Sequence, residues 1–462
     1  MFKSQIKNFR KQKIHLSPIQ VTLLGFLGAI IVGCFLLMLP ICTADHTPAP
    51  FFTALYTATS AVCVNGIVPN PTATYWSFWG QLVIMLLFQL GGLGIVTFSI
   101  GFLYVFYGRI SLSNKLLLET AFNLDKLNGP DLFLRRVFKG TVFCEIIGAF
   151  LFLPVFCKDY GVKGIWISIF HSVSSFCNAG FDILGNNSLA EYASNIWLNV
   201  VTMLLVVIGG LGFVVWWDLF TLYKIKRKNN TTWRKSLHLM KLHTKITIIT
   251  TFVLIVFGAV VFTLSEWTNP NTLGQFEPHI RVMAGLFQSI TTRTAGFCTI
   301  PQNRLTDNSV LTTVILMFIG GSSVSTAGGV KTTTIAVLIL CALSVSKGSE
   351  YTTAHGRTIP ATLVRRALAI FVVSISTMLA AMLLFGFLEN QSFANIVFDT
   401  VSVLSTTGLS RGMVDHLCPA SQVLLLVCMY LGRVGPISLA IAFASRLNKD
   451  KFQYPSQDIT LG

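Results

Sequence analysis

The chain has 462 residues, of which 53% are hydrophobic and 11% charged, with a mean hydropathy of +0.68. A soluble domain carries roughly 25% charged residues, so that class is excluded and a polytopic membrane protein remains. Lysine and arginine number 34 against 18 carboxylates, a formal +16, which would suggest nucleic acid in a soluble chain but here must first be weighed against topology.

Residues 1–17 are basic and polar (Lys3, Lys7, Arg10, Lys11, Lys13). The apolar run after them has no small-residue cleavage site, so this segment is expected to be uncleaved and cytosolic. Next comes an apolar run near 18–40, a half-length stretch Phe51 to Ser60, a polar segment ending Val64-Asn65-Gly66, and a second apolar run near 78–106. The same order recurs three times. The first runs lie near 137–156, 246–265 and 367–388, and the half-length stretches are Ile165 to Ser174, Arg281 to Ile290 and Phe393 to Val401. The glycine segments end Asn178-Ala179-Gly180, Thr294-Ala295-Gly296 and Thr406-Thr407-Gly408, and the second runs lie near 196–223, 310–345 and 421–444. The four segment glycines are spaced by 114, 116 and 112 residues, each far longer than a solenoid repeat. Glycines in all four second runs, Gly91, Gly209, Gly320 and Gly432, follow 24 to 29 residues later and support the repeat independently.

The expected fold is all-α and polytopic. Four pseudo-symmetric units, each a membrane span, a re-entrant half-helix and a second span, surround one central pore. The units are 18–107, 108–223, 224–345 with an intramembrane loop at 320–331, and 346–446, followed by a cytosolic tail 447–462. A ten-residue helix is about 15 Å long, half the roughly 30 Å hydrocarbon layer, so the half-length stretches cannot span. With eight spans, the termini and the loops near 107–136, 224–245 and 346–366 share one side carrying 26 of the 34 basic residues. The positive-inside rule makes that side cytosolic, so the charge reports topology and not nucleic-acid binding. The ten cysteines include no C-x-x-C pair and read as reduced thiols.

Irregular backbone at membrane depth is tolerated only where protein buries it or where it lines an aqueous cavity. A half-helix entering from outside aims its negative C-terminal end at the membrane centre, which favours a cation there. Glycine at positive φ lets the chain turn carbonyl oxygens inward to replace a hydration shell. The predicted ligands are therefore backbone oxygens drawn from Val64, Asn65 and Gly66; Asn178, Ala179 and Gly180; Thr294, Ala295 and Gly296; and Thr406, Thr407 and Gly408. Asp399 is the only carboxylate in these stretches and lies nine residues before Gly408, so a calcium-type acidic ring is disfavoured and K+ is the most plausible ion. No His/Cys/Asp cluster has zinc-ligand spacing around His171 and Cys177, leaving the filter as the one predicted metal site.

At these motifs the chain resembles the Trk/Ktr/HKT superfamily of potassium transporters, over almost its whole length, and looks most like the Ktr-type membrane subunits. The resemblance implies that Gly66, Gly180, Gly296 and Gly408 form the filter. It implies preference for K+ over Na+, since sodium-favouring relatives carry serine at the first of these places. It also implies a homodimer on a cytosolic nucleotide-binding regulatory ring of RCK type, KtrA-like, in the cell membrane, with both termini cytosolic. K+ is then the transported ion and Na+ a candidate activator.

Two features of the second runs stand out. Gly320, Gly321, Ser322, Ser323, Thr326, Gly328, Gly329 and Lys331 fall mid-membrane, where each glycine costs a helix about 1 kcal/mol, so the third second run is expected to break. The string is superficially similar to a phosphate-binding P-loop, but Val330 separates glycine from Lys331 and the G-K-[ST] ending is absent. It is read instead as a gating loop beneath the filter, with close helix packing as the plainer alternative. Arg433 is costly inside an apolar span and is assigned to the pore, where the resemblance implies an electrostatic barrier below the filter, with pairing to Glu145 or Asp218 as its structural alternative. Arg293 is expected to turn away from the mouth and brace the filter backbone. Trp76, Trp79, Trp166, Trp197 and Trp267 suit the outer aromatic belt. The basic stretch Lys224 to Lys245 is expected to meet the regulatory ring or membrane lipid, or to act only as a topogenic loop. The function read from these residues is potassium uptake, not enzymatic, with an alternating-access cation-coupled secondary transporter as the alternative.

Overall fold

The computed structural model describes residues 18–94, 130–185, 188–229, 238–414 and 417–435. The expected segment 1–17, most of the loop 107–136 and the tail 447–462 lie outside the described residues.

In chain order the first unit supplies α1 (Pro18–Leu37), α2 (Phe51–Cys63) and α3 (Phe78–Leu93). The second supplies α4 (Pro130–Tyr160), α5 (Lys163–Cys177), α6 (Ile196–Gly210) and α7 (Phe213–Asn229). The third gives α8 (Leu242–Glu266), α9 (Pro278–Thr291), α10 (Asp307–Phe318) and α11 (Thr332–Ser346). The fourth gives α12 (Ala361–Leu388), α13 (Phe393–Leu404) and α14 (Pro419–Val434). A short antiparallel hairpin, β1 (Thr353–Ala354) with β2 (Arg357–Thr358), joins α11 to α12, an addition to the expected all-α chain.

Local chemistry sets the helix starts. Ser77 and Asn195 accept hydrogen bonds from the N–H groups of Gly80 and Leu198, and α9 and α14 begin with proline, whose missing N–H has no helical partner to lose. Among the described residues, four helices are individually long and apolar enough to cross a membrane: Gln20–Leu37, Arg135–Tyr160, Leu242–Glu266 and Ala361–Leu388. These are the four predicted first runs. Large apolar side chains on their outer faces, such as Phe35, Phe150, Phe252 and Phe387, stay exposed, as lipid contact requires.

The half-length helices have 13, 15, 14 and 12 residues, continuing toward the glycines beyond the predicted stretches. At 1.5 Å per residue they reach only about 18–22 Å, still short of the hydrocarbon layer. Each packs on the first helix of its own unit: α2 on α1, α5 on α4, α9 on α8 and α13 on α12. Each second helix then packs on the half-helix of the next unit: α3 on α5, α6 on α9, α10 on α13, and α14 back on α2. That succession closes the chain into a ring.

The cores lie behind the half-helices, between units. Phe88 of α3 packs edge-on to Phe170 of α5 and stacks on Phe181 after it. Phe152, Phe156 and Phe297 surround the His171 ring between units two and three. Met317 of α10 and Phe398 of α13 share a core between units three and four.

Two expectations need correction. The second run of unit two, expected as a plain helix, breaks between α6 and α7 with a bend of 95°. Gly212 there has φ +93, and Phe213 N–H bonds to Val324 O at 2.9 Å, outside its own helix. Trp76, assigned to the outer belt, is fully buried and bridges Thr43, whereas Trp79, Trp197 and Trp267 are exposed.

Candidate functional site

All four half-helices end in a left-handed residue two before the glycine. In units one, two and four it is Val64 (φ +57), Asn178 (φ +54) and Thr406 (φ +55). The next N–H reaches back five residues: Asn65 to Ser60 O at 2.9 Å, Ala179 to Ser174 O at 2.9 Å, and Thr407 to Ser402 O at 2.8 Å. This is the Schellman closure, which normally takes glycine; a left-handed valine or threonine costs about 1–2 kcal/mol. Such strain persists only where neighbours over-determine it. Unit three is one residue tighter, with Ala295 N–H on Thr291 O at 2.9 Å and Thr294 at φ +70.

Hydroxyls at the helix ends hold the chain beyond the glycines. Ser174 Oγ donates to Phe181 O at 2.6 Å, and Thr291 Oγ1 donates to Phe297 O at 2.7 Å. Asn65 Nδ2 donates to Val403 O at 2.9 Å, tying unit one to unit four.

Gly66, Gly180, Gly296 and Gly408 follow at φ +86, +69, +83 and +91. They meet around one centre. A Cβ on Gly66 would lie 2.6 Å from Ala179 O, one on Gly180 3.0 Å from Ala295 O, and one on Gly296 2.5 Å from Thr407 O. A Cβ on Gly408 would collide with Asn65 O. Each glycine thus faces the carbonyl preceding the next glycine, and the circuit closes. It can present main-chain oxygens to one ion without any carboxylate.

The glycines of the second runs serve close packing in three units. A Cβ on Gly91, Gly209 or Gly432 would strike Val62 O, Phe176 O or Leu404 O, the carbonyl four residues before Gly66, Gly180 or Gly408. Gly320 differs, meeting Gly328 O of its own loop.

That loop, between α10 and α11, lies under the ring and is held from several sides. Ser322 and Thr326 N–H groups donate to Gly210 O and Gly209 O at 3.0 and 3.4 Å, and Thr326 Oγ1 donates to Phe176 O at 3.2 Å. Gly328 approaches Ser405 O and the Thr406 hydroxyl so closely that a Cβ there would collide. Within the loop, Gly321 N–H donates to Gly328 O, and Gly329 takes φ +67. Ser323 and Thr333 hydroxyls share a 2.8 Å bond. Lys331 Nζ donates to Ala327 O at 2.8 Å and Gly328 O at 3.4 Å, curling its charge back onto the loop.

Arg433 of α14 closes the arrangement. Its Nη1 donates to Thr326 O at 2.8 Å and its Nη2 to Gly91 O and to Gly92 O at 3.3 Å. It therefore spans the loop and unit one. The alternative pairings with Glu145 and Asp218 are not what the structure shows: Glu145 accepts from Gln89 Nε2 at 2.7 Å, and Asp218 accepts from Lys241 N–H at 3.0 Å. Arg293 turns away from the mouth as expected, but the backbone it reaches is the loop's: it is buried, and its Nη2 lies 3.5 Å from Gly320 O.

Sequence reasoning missed one supporting network. Asp399, fully buried on α13, accepts from Arg411 N–H at 2.8 Å, Ser410 Oγ at 2.9 Å and Met413 N–H at 3.0 Å, fixing the segment after Gly408. Arg411 in turn bonds Asn395 Oδ1 and Gln302 O. The lone acid in a half-helix was visible, but its partners lie beyond the glycine and in another unit.

Comparison with known proteins adds independent findings. The family described as TrkH, cation transport protein, matches residues 24–454. The chain is 36% identical to the potassium/sodium uptake protein NtpJ of Enterococcus hirae, covering 99% of each chain. It is 32% identical to the Ktr system potassium uptake protein B of Bacillus subtilis, covering 97% of this chain and 98% of that one. In structure it is similar to the potassium transporter TrkH from Vibrio parahaemolyticus, with a TM-score of 0.70 at 18% identity, over 93% of this chain and 86% of the other.

Proposed function

Because the chain belongs to the TrkH cation transport family, we propose that its four glycine segments form one K+-selective filter, gated from below by the loop 320–331 and Arg433. It is a potassium or cation uptake transporter of the Trk/Ktr family and not an enzyme. The observation that carries the finer reading is the closed circuit of glycine Cα atoms and neighbouring carbonyls. In the mechanism, a cation sheds water at the ring, where carbonyl oxygens and the converging C-terminal ends of α2, α5, α9 and α13 replace its hydration shell. The filter carries no formal charge, so carbonyl dipoles alone hold the ion and its release has no carboxylate to overcome. An interior-negative potential contributes about 2.3 kcal/mol per charge per 100 mV, which drives uptake without a reacting residue.

Below the ring, the loop is a steric obstruction and the Arg433 guanidinium an electrostatic one. Opening has to release the bonds from Arg433 to Thr326 and from Ser322 and Thr326 to the α6 end, all of which water can replace once the loop moves. The full architecture in this reading has eight spans and four re-entrant helices, with units 18–107, 108–223, 224–345 and 346–446 and cytosolic termini in the cell membrane. It assembles as a homodimer on a cytosolic nucleotide-binding ring of RCK type, and Na+ is a candidate activator. The multi-subunit naming of the Bacillus relative, a Ktr system protein, supports the partner reading.

The test is growth of potassium-uptake-deficient cells on low K+, comparing wild type with Gly66→Ser. Rescue by wild type with loss of K+ preference in the variant supports the filter. Equal cation preference in the two would remove it.

A further inference from the structure

We propose that the cytosolic base of α4 and the bent helix α7 form a binding site for an anionic phospholipid of the inner leaflet. Between them lies a cavity of about 410 Å³ walled by Phe143, Phe213, Trp216, Trp217 and Phe220. Arg136 and Lys139 stand among its lining residues, and none of the described lining residues is acidic. The Arg136 guanidinium sits 3.0 Å from the Trp217 ring centre, and Lys224 Nζ lies 4.7 Å from that of Phe220. Aromatic faces thus hold cations beside an apolar slot.

Helix α7 fits an interfacial position. It leaves α6 at 95°, exposes Leu219, Phe220 and Tyr223, and ends in Lys226, Arg227 and Lys228. An apolar face with a basic end is the pattern of a helix lying in the headgroup region. The slot takes an acyl chain, and Arg136 with Lys139 takes the phosphate, on the side with the excess of basic residues. Basic pockets between membrane helices on that side are suited to anionic headgroups, whereas a zwitterionic lipid would leave the charges unmatched.

The site adjoins the loop. Phe213, in the slot wall, donates its N–H to Val324 O, and Trp216 packs edge-on to Phe176, whose carbonyl accepts from Thr326 Oγ1. An acyl chain wedged against Phe213 and Trp216 therefore bears on two of the loop's attachments. This link rests on the loop being the gate; lipid binding does not.

The experiment uses the full chain in phosphatidylcholine vesicles with or without one quarter phosphatidylglycerol. Retained lipid is read by native mass spectrometry and uptake by tracer Rb+. Arg136→Gln/Lys139→Gln is compared with Arg365→Gln/Arg366→Gln, which removes equal charge elsewhere on the cytosolic side. Wild type and the control pair are expected to retain phosphatidylglycerol. The slot variant should bind it about thirtyfold more weakly, or about fivefold for Lys139→Gln alone if the double variant does not fold. Equal retention in all variants overturns the site. So does displacement of the lipid by inorganic phosphate, which needs no slot, or a change of oligomeric state with retention unaltered, which assigns the slot to a second copy. Loss of retention with uptake unchanged overturns the link to the loop.

Discussion

Replacing Gly66 by serine tests the filter most sharply, because the structure supplies both terms of the cost. At φ +86 a side chain loses about 1–2 kcal/mol relative to glycine. The added Cβ would sit 2.6 Å from Ala179 O and 3.1 Å from the Gly180 Cα, both main-chain atoms of the next segment. No flexible side chain can give way, so the Ala179 carbonyl, a candidate ion ligand, has to move. A misplacement worth about 1.4 kcal/mol in K+ coordination is a tenfold change in equilibrium, so the K+/Na+ uptake ratio should fall about tenfold or more. The assay is paired Rb+ and Na+ tracer uptake into vesicles containing equal amounts of folded protein. Gly386→Ser serves as control, since a Cβ there meets nothing within 4 Å. If Gly66→Ser and Gly386→Ser give the same ratio, the ring is not the selective element.

Other consequences follow from the same contacts. Arg433→Ala removes charge-assisted bonds to the carbonyls of Thr326, Gly91 and Gly92, each worth about 1.5–3 kcal/mol. Uptake without the regulatory partner should rise at least several-fold, with Thr326→Ala giving a smaller rise of the same sign; unchanged uptake in Arg433→Ala contradicts the barrier. Gly209→Ala drives a Cβ into Phe176 O, whereas Gly28→Ala meets nothing within 4 Å, so only the former should lower the yield of monodisperse protein. Asp399→Asn puts an amide where three donors converge, and the thermal midpoint in detergent should drop by the equivalent of about 1–3 kcal/mol. A wild-type midpoint there would assign the post-filter segment to other contacts.

The repeat, the half-helices and the glycine positions were legible in the sequence because they rest on length and on residues that only special backbone permits. A ten-residue apolar stretch flanked by glycine has few ways to sit in a bilayer. The break in unit three was legible for the same reason, with four glycines between Gly320 and Gly329. The break in unit two was not. Gly209, Gly210 and Gly212 resemble the glycines of unit one, and the bend depends on Phe213 N–H finding Val324 O more than a hundred residues away. The partner of Arg293 was hidden for a related reason: its position three residues before Gly296 was plain, but its reach to Gly320 O depends on where the loop folds back. Trp76 shows the limit of reading belts from composition, since its side chain is buried against Gly80 and its backbone pairs with Thr43.

The measurement closest to the central claim is an anomalous-scattering map of crystals soaked in Rb+ in place of K+. The account predicts a peak at the centre of Gly66, Gly180, Gly296 and Gly408, ligated by main-chain oxygens from all four segments. A map with its density beside carboxylates such as Glu145 or Asp399, and none between the glycines, would contradict it.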